Sequence, residues 1–182
     1  MSYSWNNVTV YGSSAEISRF RRLCIELPPG SDPQNVSGGW DGYEAYIGYQ
    51  GVMPAGAGGS SGRIAGVYAS NYREEAPKAG SWSFAFDTEY RFPDDVFEDL
   101  AALFHALHFY CDCIDSLDDY MGCGWFNSPS GGETFRQDME VPADYWVGNS
   151  EKRTPEEATK HTRLIKALLD EARILDRRAS TF

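Results

Sequence analysis

The four cysteines are the first candidates for chemistry in this chain of 182 residues. A tetrahedral zinc site needs four sulfur or nitrogen ligands, which would be drawn from Cys24, His108, Cys111, Cys113 and Cys123. The spacing matches no common zinc module, and Cys111 and Cys113 lie two positions apart in a predicted strand, which points both side chains to one face. Because free cysteine is among the most buried residue types, the sequence favours reduced, buried thiols over a metal site.

Carboxylates and histidines are the candidates for acid–base or nucleophilic catalysis. Asp118 and Asp119 stand beside Tyr120 and close to Trp125, a combination that suits acid–base or carbohydrate chemistry. Adjacent carboxylates in a turn are usually only solvated, and no nucleophile with a neighbouring base is recognisable. No G-x-S-x-G, H-E-x-x-H or Walker motif is present, and residues 56–59 lack the lysine of a phosphate-binding loop. The sequence therefore assigns no catalytic residue, no metal ligand and no cofactor.

Strand and helix patterns alternate in the first half of the chain. Residues 7–11 alternate as a short strand, and Ser13 with Glu16 predicts a capping box that opens a helix. A double proline should end that helix. Residues 40–52, rich in tyrosine, predict a further β segment, and residues 51–62 have the composition of a flexible glycine-rich loop.

The second half repeats the pattern with stronger signals. Aromatic and small residues alternate over residues 81–90 and predict a strand, after which Pro93 opens a helix over residues 93–107. That helix should bury one apolar stripe, formed by Val96, Phe97, Leu100, Leu103, Phe104 and Leu107. Residues 108–114 and 122–126 predict two strands, and residues 127–150 are irregular. An amphipathic helix is predicted over residues 154–178.

This order of elements predicts an α+β fold, namely a ferredoxin-like split βαβ antiparallel sheet with helices on one face plus a C-terminal amphipathic helix. Residues 1–182 would form a single domain, in which 51–62 is an inserted loop and 154–178 a helical extension. The segments NNVTVYGSSAEISRF, WSFAFDTEYRFPDDVFEDLAALFHALHFYCDC and DDYMGCGWF resemble the YubB-like ferredoxin-like family, proteins of plasmids, phages and related bacterial elements. The resemblance covers about half of the chain. It implies a fold and a genomic setting but no reaction.

The negative charge is concentrated in one part of the chain. The net charge is −11, yet residues 1–78 carry −1 and residues 151–182 carry +2. Residues 79–150 hold two basic and fourteen acidic residues, a net charge of −12. Such a surface repels nucleic acid and attracts basic proteins. The N-terminus lacks a leader pattern and no run approaches about 20 apolar residues, which predicts a cytoplasmic protein with no membrane partner.

We therefore expect a non-enzymatic acidic interaction protein of a bacterial mobile element. Its partner would be a basic protein such as a nucleic-acid-binding host factor. The chain would inhibit that partner by mimicking nucleic acid, or would act against host defence, and would not bind nucleic acid directly. The predicted contact residues are Asp87, Glu89, Asp95, Asp99, Asp115, Asp118, Asp119, Tyr120 and Trp125. The helix and turn acids should form one continuous patch. One alternative is a small-ligand-binding or catalytic domain with a cleft near the glycine-rich loop, and another is a merely solvated acidic face.

Overall fold

The computed structural model describes residues 2–36, 42–52, 66–117 and 119–141. This part of the chain contains eight strands and two helices. In chain order the elements are β1 (Tyr3–Tyr11), α1 (Ser14–Cys24), β2 (Ile25–Glu26), β3 (Tyr43–Gly48), β4 (Gly66–Glu74), β5 (Ser81–Glu89), α2 (Asp94–Leu103), β6 (His108–Asp115), β7 (Met121–Phe126) and β8 (Arg136–Met139). Residues 53–62 of the predicted loop and the predicted helix over 154–178 lie outside the described residues, so the single-domain organisation stays a prediction.

All strands pair antiparallel in one sheet of order β2-β3-β4-β5-β1-β6-β7-β8. The α+β class is therefore confirmed, but the sheet is larger than the predicted ferredoxin-like sheet. Strand β4 is not predicted from the sequence, because its alternation is interrupted where Asn71 takes a φ of 52° and the pairing with β5 shifts register. Strand β8 has four residues and lies in the stretch predicted to be irregular.

Both helices pack on the same face of the sheet. The Phe20 ring of α1 contacts Trp82 of β5 and Phe109 of β6, at centroid distances of 6.3 and 5.2 Å. The Phe97 ring of α2 contacts Phe86 and Phe109, at 6.3 and 6.1 Å. These interlocking aromatic side chains form the core that fixes α2 against the sheet.

The helix predictions hold in their main features. The Ser13 hydroxyl accepts a hydrogen bond from the Glu16 backbone N–H at 3.2 Å, which confirms one half of the predicted capping box, whereas the Glu16 carboxylate pairs with Arg19 at 3.2 Å. Helix α2 ends at Leu103, earlier than predicted, although Phe104 and Leu107 are still buried as expected. No helix in the described ranges is long and apolar enough to cross a membrane.

Two glycines of β7 allow β8 to approach closely. A Cβ on Gly122 would lie 2.6 Å from the Arg136 carbonyl oxygen. A Cβ on Gly124, whose φ is +144°, would lie 2.5 Å from the carbonyl oxygen of Thr134. Only glycine fits such contacts with backbone atoms, so these positions permit the last turn and strand to pack on the sheet.

The four cysteines are free and buried, as the sequence predicts. Burial raises the pKa of Cys24 and of Cys123 from 9.0 to about 12. Among the residues that the structure describes, no group of three or more His, Cys, Asp or Glu side chains is placed to hold a metal ion.

A thiol reagent at pH 8 is therefore expected to label no cysteine in the native protein and all four after denaturation. Because burial raises these pKa values above those of the unfolded chain, the thiols contribute full stability below pH 9. That contribution is lost as the pH rises from 9 towards 12. Rapid labelling of any thiol in the folded protein would contradict the burial.

Candidate partner-binding surface

Six carboxylates lie around the start of α2 and are exposed or half-exposed. We call them the acidic surface: Glu89, Asp94, Asp95, Glu98, Asp119 and Glu133. The sheet topology explains why they meet. Strands β5 and β6 both pair antiparallel with β1 and so run in the same direction. The end of β5, the turn after β6 and the start of α2 therefore lie at one end of the sheet.

Tyr120 connects the turn after β6 to the segment that precedes α2. Its hydroxyl donates a hydrogen bond to the Tyr90 backbone carbonyl, and the Arg91 guanidinium lies over its ring at 5.7 Å. Tyr90 itself is 60% exposed. This contact joins the chain next to Asp119 to the chain next to Glu89, so Tyr90 and Tyr120 are the aromatic residues that neighbour these two acids in sequence.

Glu133, between β7 and β8, brings a fourth segment to the acidic surface. Its pKa is raised by burial and further by the negative charges of Glu98 and Asp94. Asp94 is oriented by Gln137, whose side-chain amide donates to it at 2.8 Å. Within the described ranges no ion pair includes any of the six carboxylates. The fold thus holds six carboxylates together, and Arg91, over the Tyr120 ring, is a described cation near them that forms no described ion pair with any of the six.

Three of the predicted contact residues are buried and lie outside this exposed set. Asp87 is 5% exposed and accepts a hydrogen bond from the Asn71 amide at 2.7 Å. Trp125 is 6% exposed, on the sheet face opposite the helices, where its ring contacts Tyr110 at 5.3 Å. Asp115 is fully buried. These side chains are not available to a partner in this conformation.

Asp115 instead organises the turn that carries Asp119. Its carboxylate accepts hydrogen bonds from the backbone N–H groups of Leu117 and Asp119, at 2.9 and 3.5 Å. A further hydrogen bond comes from the Ser2 hydroxyl. An aspartate at the start of a turn commonly bonds to the backbone two residues later, so the D-S-L-D-D sequence contains the signal for this role.

The remaining predicted contact residues divide as follows. Glu89, Asp95 and Asp119 are exposed and belong to the acidic surface, and Tyr120 lies within it half-buried. Asp99 is half-buried on α2. Asp118 lies outside the described residues. Three members of the acidic surface, Asp94, Glu98 and Glu133, are not among the contact residues predicted from the sequence. Glu133 falls in the stretch predicted to be irregular, where no pattern indicates its approach to α2.

The alternative function requires a cleft near the glycine-rich loop. A cleft of about 410 Å³ lies between α1 and the segments around residues 31 and 78. Neither Gly51 nor Val52, the described residues of the loop, lines it. The cleft therefore provides no support for a site under the loop.

Comparison with known proteins gives no matching family model, no matching curated protein and no matching solved structure. The family resemblance consequently stays a prediction, and function must be argued from the chain itself.

Proposed function

We propose that this chain is a non-enzymatic interaction protein that binds a basic partner protein through the acidic surface. The partner is a nucleic-acid-binding protein, and the carboxylates occupy the groove that would otherwise hold phosphates. The observation that carries this proposal is the approach of Glu133 to Asp94 and Glu98 of α2, because it brings like charges from two segments of the chain together on one surface.

Convergence of this kind has an energetic cost for the isolated protein. Like charges held close together repel each other and lower the stability of the fold. A partner that offers lysine and arginine side chains removes that repulsion on binding and gains long-range attraction during association. The exposed Tyr90 and the neighbouring Tyr120 supply the large side chains that are enriched at the centres of binding interfaces.

The proposed setting is a bacterial mobile element, and the finer fold assignment belongs with it. We propose a ferredoxin-like split βαβ core, formed by β4, β5, β1 and β6, within the larger sheet. The pairing of β5 and β6 with opposite edges of β1, and their connection through α2, support this assignment. The resemblance to YubB-like proteins supports an origin in a mobile element. In such an element, the chain would counter host defence by inhibiting a nucleic-acid-binding protein of the host.

A pull-down from bacterial lysate tests this function. The immobilised protein should capture a nucleic-acid-binding protein from nuclease-treated lysate, so that bridging by nucleic acid is removed. Added duplex DNA should displace the captured protein, because both ligands compete for one basic groove. Moderate salt should release it as well, since exposed charges are screened. Capture that resists both salt and DNA, or no capture, would contradict the proposal.

A further inference from the structure

The cleft beside α1 has a mixed lining of apolar walls and cations. Ile17 of α1, Leu27 and Pro77 form apolar walls, and Arg21, Arg22 and Lys78 supply positive charge. Its volume of about 410 Å³ is within the range of small-molecule sites. Trp82, near the start of β5, lies against the cleft.

Trp82 has a buried donor without an acceptor. The residue is 1% exposed, and its ring is fixed by stacking on Phe84 at 4.7 Å and by an edge contact with Phe20. The indole Nε1 has no hydrogen-bond partner in the described part of the chain. Buried polar groups are nearly always hydrogen-bonded, so an unpaired buried N–H on a residue that lines a cleft makes Trp82 a candidate donor to a molecule bound there.

The charges near Trp82 show which kind of acceptor fits. The Arg21 guanidinium lies over the Trp82 ring at 5.8 Å and is fixed by Glu74, with its Nη2 2.6 Å from the carboxylate Oε2. Because the buried carboxylate of Glu74 neutralises Arg21, the remaining positive charge comes from Arg22 and Lys78. The Lys78 ammonium lies 3.3 Å from the Glu75 carboxylate, and both side chains are exposed to solvent. An anionic oxygen would meet both an unpaired donor and excess positive charge.

We propose that this cleft binds a small organic anion, a phosphate- or carboxylate-bearing molecule whose oxygen accepts the Trp82 N–H. The apolar walls contact its carbon skeleton, and Arg22 and Lys78 attract its charge. This site is separate from the acidic surface, because Trp82 and Glu89 are seven residues apart on β5, a distance of about 23 Å along an extended strand. Binding of the anion is thus independent of the proposed basic partner.

Titration of the protein labelled with ¹⁵N in its five tryptophan indoles tests the proposal. Inorganic phosphate and benzoate are the probes, and sodium chloride at matched ionic strength is the control. The Trp82→Phe variant assigns the resonance, since it removes the donor and keeps an aromatic ring. We expect one probe to shift the Trp82 N–H resonance to saturation, which identifies phosphate or carboxylate chemistry, while the other indoles stay unchanged.

The variant Arg22→Gln with Lys78→Gln should weaken that binding at least fivefold, because it removes the two cations of the cleft that no buried carboxylate neutralises. Equal shifts of all indole resonances, or no shift with either probe, would overturn the proposal and leave a cleft that holds water only. Equal affinity in the double variant would also overturn it.

Discussion

Phe97→Ala is expected to lower the free energy of unfolding by about 3–5 kcal/mol, the usual cost of removing a large buried aromatic side chain. Phe97 is fully buried, and its ring contacts those of Phe86, Phe92, Phe109 and Phe126. These rings belong to β5, the segment before α2, β6 and β7. The cavity would therefore loosen the attachment of α2, which carries three members of the acidic surface.

Urea unfolding monitored by circular dichroism measures this loss. Tyr68→Ala is the matched control, because Tyr68 is 82% exposed and its removal should change stability by less than about 0.5 kcal/mol. If Phe97→Ala does not fold, Phe97→Leu should still lose about 1–2 kcal/mol. Equal stability of the Phe97 and Tyr68 variants would show that α2 is not anchored by this cluster.

Reversal of three charges on the acidic surface is expected to weaken partner binding by well over tenfold. The variant combines Glu89→Lys, Glu98→Lys and Asp119→Lys, three exposed side chains without a described ion pair. Asp95 is left unchanged, because its carboxylate accepts a hydrogen bond from the Val96 backbone N–H at 2.9 Å and contributes to the start of α2. The midpoint of thermal unfolding should stay constant or rise slightly, since the reversal relieves repulsion among exposed charges, which contribute little to stability.

Strand β5 and the buried face of α2 could be predicted closely from the sequence. Alternating aromatic residues gave the range of β5, and the 3.6-residue apolar period gave the buried stripe of α2. Both signals are local, because they depend only on which face of one element is buried. The concentration of negative charge in residues 79–150 is also a property of the sequence alone.

The parts that could not be predicted depend on contacts between distant segments. Asp87, Asp115 and Trp125 are predicted contact residues that the fold buries, because the exposure of a strand residue depends on what covers each face of the sheet. The sequence of β6 or β7 alone does not contain that information. Likewise the position of Glu133 depends on the path of the segment between β7 and β8, which Gly122 and Gly124 allow to lie close to β7.

The most direct test of the proposed function separates the location of the charge from its amount. A second variant, Glu26→Lys with Glu44→Lys and Glu75→Lys, raises the net charge by the same six units but changes exposed acids outside the acidic surface. Dissociation constants for the captured basic protein should be measured by isothermal titration for both variants and the unmodified chain. We expect a loss of well over tenfold for the Glu89, Glu98 and Asp119 variant and less than about threefold for the control. Equal losses in the two variants, or unchanged affinity in both, would contradict binding through the acidic surface.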